Sequence, residues 1–297
     1  MTPLEKLLLA RSKRILEGLD VARLRGVEIG PLVNPIMTRD AGSITYVDHA
    51  TTEDLRAKYA ADPSVDVTKI VAIDAVWGDD SLAQALQCGP EYDYVVTSHV
   101  IEHVPDLITW LAEIEAILKD GGSHRLAIPD RRFTFDFFRR ETRLPEVLDA
   151  WMQKARRPLP SAILDFYTYV ANVDLTKAWQ GRIDSRNTPL VHGPAFAIEV
   201  ARSANDVYHD AHCWVFTPRS FGELMVELAS VGLLNFSCER FLDTRFMEFE
   251  FIVSMSKCSD KDKVVKSWRD MAAQAQELPS RPAPPMRWLS RIVGVKA

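Results

Sequence analysis

Apolar residues at positions 4, 7, 8, 15, 16 and 19 fall near one helical stripe, which predicts an amphipathic helix over 2–19 that covers something downstream. The period then changes. Short β-rich runs, GVEIG (26–30), ITYVD (44–48), KIVAID (69–74), YDYVVTS (92–98) and HRLAIP (124–129), alternate with helical stretches near 51–61, 80–87 and 106–119. Strands alternating with helices predict a parallel sheet covered on both faces. Past Pro129 the alternation breaks into aromatic and Arg-rich text, DRRFTFDFFRRETR, with helices expected near 144–155 and 161–178. It resumes with the helix PRSFGELMVELASVG and two strand-like runs, NFSCERFL and EFEFIVSMSK, that pair as an antiparallel edge.

The resulting division has a covering helix at 1–25, an α/β core at 26–130, an inserted cap at 131–215, the end of the core at 216–257, and a C-terminal helix with a basic tail at 258–297. Direct return of the insertion into the sheet pattern favours a cap over an independent unit.

The 297 residues suffice for one large domain. Thirty-six basic against 41 acidic residues give a net charge of −5, without the basic footprint that nucleic-acid binding needs. Cysteines 88, 213, 238 and 258 show no C-x-x-C spacing, and the N-terminal apolar run is too short for a signal h-region. A reducing, cytoplasmic location is expected. The tail MRWLSRIVGVKA sets Trp288, Leu289, Ile292 and Val293 among positive charges, which suits a peripheral contact with a membrane or a glycosyltransferase.

Chemistry concentrates at the strand ends. Glu28 and Gly30 close the first strand where a nucleotide-binding α/β fold turns toward its ligand, and Asp48 ends the second strand, where a carboxylate can accept ribose hydroxyls. The series then runs through Asp74, YDYVVTSHVIEHV and LKDGGSHRLAIPD. This order resembles class I S-adenosylmethionine-dependent methyltransferases, with Leu32 and Asn34 replacing the second and third glycines of the family's first-strand motif. VEIGPLVNPI, YVDH, SHVIEHVPDL, LAIPDRRFTFDFFR and HCWVFTP are similar to a bacterial group found among surface-polysaccharide assembly proteins.

The resemblance implies a Rossmann-like α/β fold with a seven-strand, mostly parallel sheet and a helical cap inserted after the fifth strand. It implies S-adenosylmethionine as cofactor, S-adenosylhomocysteine as product, and a glycan or glycan-lipid hydroxyl as acceptor. Glu28, Gly30, Asp48, Asp74, Ala75, Val76 and Ser98 would hold the cofactor, with Asp74 on the adenine amino group. Arg131, Arg132, His209, Asp210 and Trp214 would hold the acceptor. A catalytically silent partner of a glycosyltransferase is the alternative.

A sugar hydroxyl needs a positioned base, and histidine, with an ordinary pKa near ~6.5, fits neutral pH. His99 and His212 are expected to face one another across the acceptor, with Asp210 or Asp130 orienting a ring and no metal required. His99-Val-Ile-Glu102-His103 also matches the inverted zinc pattern H-x-x-E-H. That pattern needs both histidines on one helix, whereas a strand enters this one and Pro105 follows it. His103 is therefore read as a residue that orients the turn.

Overall fold

The computed structural model describes residues 2–276 except 79 and 205; the basic tail lies outside the described residues. Helix α1 (Pro3–Ile15) opens on a capping box in which Thr2 and Glu5 satisfy each other's backbone N–H. The chain continues through β1 (Arg25–Ile29), β2 (Ser43–Asp48), α2 (Thr52–Tyr59), β3 (Ala75–Val76), α3 (Leu82–Leu86), β4 (Tyr92–Ser98), α4 (Leu107–Ile117) and β5 (Leu118–Pro129). Helices α5 (Leu144–Met152), α6 (Pro160–Tyr169), α7 (Leu175–Trp179) and α8 (Pro194–Arg202) make up the insertion. Then follow α9 (Pro218–Ser230), β6 (Phe236–Leu242), β7 (Glu250–Lys257) and α10 (Lys261–Gln274).

The strands form one sheet in the order β3-β2-β1-β4-β5-β7-β6. All pairs are parallel except those made by β7, which runs antiparallel to both β5 and β6. This is the expected Rossmann-like α/β architecture. Alternation along β1 sends Val27 and Ile29 to one face, where they join Val95, Leu126, Phe251 and the helices α4, α9 and α10 in the main core. Glu28 points to the other face, beside Tyr46 and Tyr94, where α1 packs with Ile15. The order of strands reverses at β1 and β4, which makes the crevice between their ends the topological switch point.

Three expectations change. The run 69–74 is not a strand: the N–H groups of Val71 and Ile73 bond to the Leu32 carbonyl and the Thr52 hydroxyl, leaving only Ala75–Val76 to pair with β2. The helix expected over 161–178 is two helices, separated where Val170 and Ala171 exchange backbone bonds with the 189–191 segment and with Phe135. Within the insertion, α5 packs into the main core through Val147 and Ala150, whereas the segment carrying α6 to α8 packs on small clusters around Phe133 and Ile163. No helix among the described residues is long and apolar enough to cross a membrane.

Candidate active site

The turn after β1 is the first half of the site. Gly30 has φ +71, and a Cβ there would stand 3.0 Å from Val100 Cγ2, so the loops after β1 and β4 abut at the switch point. Leu32 keeps the left-handed backbone, φ +42, although the family's glycine is missing. The loop is held from below, because the buried Glu28 carboxylate accepts the N–H groups of Ile36 at 2.7 Å and Met37 at 3.0 Å. Glu28 therefore holds the loop, its carboxylate being taken up by backbone amides.

Burial pushes the Glu28 carboxyl up to about 7, against the two amides and the Arg11 guanidinium. A folded-state pKa above the ordinary 4.5 means that the native state holds this proton more tightly than the unfolded chain does. The stabilisation is complete below the ordinary value and is lost as pH rises through the raised one. The urea midpoint should fall between about pH 5 and about pH 8, and Glu28→Gln should flatten that slope.

At the end of β2, Asp48 is buried, and its Oδ1 accepts the His49 N–H at 2.7 Å with His49 Nδ1 at 2.6 Å. Val76 pairs with Asp48 across β2 and β3 and is exposed, which suits an adenine face beside a ribose acid. Asp74 is elsewhere. Two residues before that edge, it accepts the Tyr46 N–H at 2.8 Å and a bidentate contact from Arg39 at 2.8 and 2.9 Å, tying the 30–42 loop to β2. The register instead carries Trp77, Gly78 and Asp80 past the strand end, which the sequence reading missed by ending the strand at 74. Gly30, Asp48 and Val76 thus fit an adenosine-bearing cofactor at the ends of β1 to β3. Asp48→Ala should weaken its binding by ~1.5–3 kcal/mol if a charge-assisted hydrogen bond is lost, as titration calorimetry would read.

Beyond the switch point lies the second half, a cavity of about 800 Å³ lined by His99, Glu102, His103, His212, Phe133, Phe135, Phe249, Asn172 and Asp174, among others. His99 sits one residue past β4, at φ +53, a conformation L residues seldom adopt outside sites that fix it. Its Nε2 is 2.8 Å from Glu250 Oε2 at the start of β7, which lies at this edge because β7 runs antiparallel. Arg11 from α1 clamps both Glu250 oxygens at 2.6 Å and donates to the Ser98 hydroxyl at 2.5 Å. Burial works to raise the Glu250 carboxyl, but His99 and Arg11 hold it down at about 2.

His212 and His103 complete the group, their rings meeting edge to face at 4.6 Å. His212 Nδ1 lies 2.6 Å from Asp136 Oδ2, and Asp136 is gripped by the buried Arg139 at 2.8 Å, which also reaches Asp165 at 2.7 Å and the His212 carbonyl at 2.8 Å. Although burial raises the Asp136 carboxyl, His212 and Arg139 leave it below its ordinary range. His103 Nδ1 stands 2.8 Å from Asp210 Oδ1, and that contact lowers Asp210 to about 2.

The structure brings His99 and His212 to one cavity, but the carboxylates that orient them are Glu250 and Asp136. Asp210 orients His103 instead. Asp130 is fully buried and engaged by Arg132 at 2.6–2.9 Å and by the Thr244 hydroxyl at 2.8 Å. Arg131 donates to the Phe137 carbonyl, His209 meets Ser203, and the Trp214 indole donates to the Val104 carbonyl at 2.6 Å, locking the turn that carries Glu102. None of Asp130, Arg131, Arg132, His209 and Trp214 lines the cavity. His124 is buried at the Thr97 hydroxyl, where burial lowers it to about 3, away from the chemistry.

Comparison with curated sequences gives no match. Among solved structures the chain is similar to an S-adenosylmethionine-dependent methyltransferase from Aquifex aeolicus, at 10% identity and TM-score 0.41 over 86% of this chain and 94% of that one. One from Mesorhizobium loti is 11% identical, with TM-score 0.38 over 84% and 100%. The CurJ carbon methyltransferase is 12% identical, with TM-score 0.41 over 85% of this chain, which spans about half, 54%, of that one. Residues 46–228, more than half of the chain, match the methyltransferase domain family. Since that match runs from the end of the second strand through the cavity histidines and the inserted helices, the chain belongs to the methyltransferase domain family and is an S-adenosylmethionine-dependent methyltransferase.

Proposed function

We propose that the chain methylates a hydroxyl of a glycan or glycan-lipid intermediate, with His99 as the proton acceptor. The observation that supports this reading is the cavity beside the end of β4, which combines histidines held on carboxylates with the aromatic walls Phe133, Phe135 and Phe249 and the polar Asn172 and Asp174. Aromatic faces pack on the apolar faces of sugar rings, while amide and carboxylate groups meet the hydroxyls.

Bound S-adenosylmethionine supplies an electrophilic methyl group. The chain's own task is to align the acceptor oxygen, exclude water and remove one proton. His99 suits the last task, since Glu250 takes up Nε2 and leaves Nδ1 on the side of Glu102, which lines the cavity. Arg11 acts as a positioning residue through Glu250. Through its basic tail, the chain would meet an inner membrane surface or a glycosyltransferase. The test is incubation with methyl-labelled cofactor and fractionated cell-surface glycans, followed by location of the label; label on nitrogen, carbon or protein would replace this acceptor class.

A further inference from the structure

Glu102 is the least satisfied charged group in the cavity. It is 1% exposed, and neither carboxylate oxygen has a hydrogen-bond partner among the described residues. A buried carboxylate left in that condition is strongly disfavoured unless a cation meets it. Around its Oε1 stand His103 Nε2 at 3.9 Å, His212 Nε2 at 4.0 Å and His99 Nδ1 at 3.6 Å.

These separations are too long for hydrogen bonds. Two ligand atoms each about 2.0–2.2 Å from one tetrahedral metal stand roughly 3.3–3.6 Å apart, so an ion would be met by drawing the His103 and His212 nitrogens in by a few tenths of an ångström. One atom from each of Glu102, His103 and His212 lies within 4.8 Å of the others. The far nitrogens are also arranged for ligation. Asp210 lies 2.8 Å from His103 Nδ1 and Asp136 lies 2.6 Å from His212 Nδ1, the outer carboxylates that turn an imidazole's other nitrogen toward a metal.

We propose that Glu102, His103 and His212 bind one borderline divalent first-row ion, of the zinc class, with an open coordination position facing the cavity. Two imidazoles and a carboxylate favour such an ion over magnesium, which prefers oxygen ligands. Three protein ligands leave a position for an oxygen from solvent or acceptor, and an oxygen bound there is more acidic. The ion's role in activating the acceptor rests on the methyl-transfer reading above; its binding does not. This differs from the inverted zinc pattern in the sequence, since the second histidine comes from 109 residues further on than His103 and His99 stands outside the ligand triad, held on Glu250.

The full-length protein, stripped with chelator, would be titrated with Zn²⁺ by calorimetry without donor or acceptor. Co²⁺ would be added separately to read its visible absorption. One ion per chain is expected, with affinity lowered at least ~100-fold in Glu102→Gln and in His212→Ala, and ~10–100-fold in Asp136→Asn. Retained S-adenosylmethionine binding certifies that each variant is folded. Absence of stoichiometric Zn²⁺ binding, or unchanged binding in folded Glu102→Gln and His212→Ala, overturns the site. Zn²⁺ binding without label on any hydroxyl upholds the site while the acceptor reading fails.

Discussion

Replacing His99 with alanine should lower turnover by ~10²–10⁴ while leaving S-adenosylmethionine affinity nearly unchanged, because a general base contributes that much and touches only the acceptor side. The residue is placed by three separate elements. Strand β4 delivers it to the switch point, β7 presents Glu250 to Nε2 at 2.8 Å, and α1 sends Arg11 over the edge to fix Glu250. Arg11→Met should therefore act in the same direction with a smaller loss, since it frees the ring without removing it. Single-turnover methylation with calorimetry on the same samples checks both. Near-normal turnover in folded His99→Ala would move the proton acceptor elsewhere.

The second large effect is on stability. Arg139→Met should destabilise the protein by ~3–5 kcal/mol, because it leaves Asp136 buried without the guanidinium that compensates it. Both side chains are almost wholly inaccessible, 1% and 3% exposed, and the same guanidinium also holds Asp165 and the His212 carbonyl. The damage should be larger than a lost surface pair, which is worth at most ~1 kcal/mol. Chemical denaturation would read it as a lower midpoint, and pairing with Asp136→Leu should recover part of the loss by removing the stranded charge. Loss of activity in the paired variant would then report the orientation of His212 rather than folding.

These two networks also show why sequence reading reached some residues and not others. His99 and His212 were legible because histidine is rare here, and one follows a strand directly while the other lies in the segment that returns from the insertion. Their partners were not. Glu250 is the second acid of a strand-like run, EFEF, and only the antiparallel course of β7 brings it to the ligand edge. Asp136 stands among phenylalanines in FTFDFF, where a lone acid gives no local sign of meeting a histidine 76 positions later. Nearer carboxylates, Asp130 and Asp210, fitted chain proximity, but a charged group pairs with what lies across space. Asp74 failed for a related reason: a one-dimensional pattern does not fix where an edge strand begins to pair, and a shift of two residues moved the acid off the ligand edge.

What the sequence determined by itself is what depends on local, periodic physics. Alternation of apolar runs with helical stripes specified the parallel sheet, the interruption after Pro129 and the antiparallel return, because burial of one face per element imposes those periods. The glycine turn after β1 and the carboxylate ending β2 were likewise written locally, since both act within a few residues of a strand end. Only the tertiary structure decided which side chains complete one another at the cavity. There Glu102, buried at the turn that Trp214 locks, meets histidines from its own loop and from the end of the insertion. Such meetings follow from the packing of elements remote in sequence, and the free energy that fixes them, desolvation against pairing of charge, exists only once the surrounding core has closed.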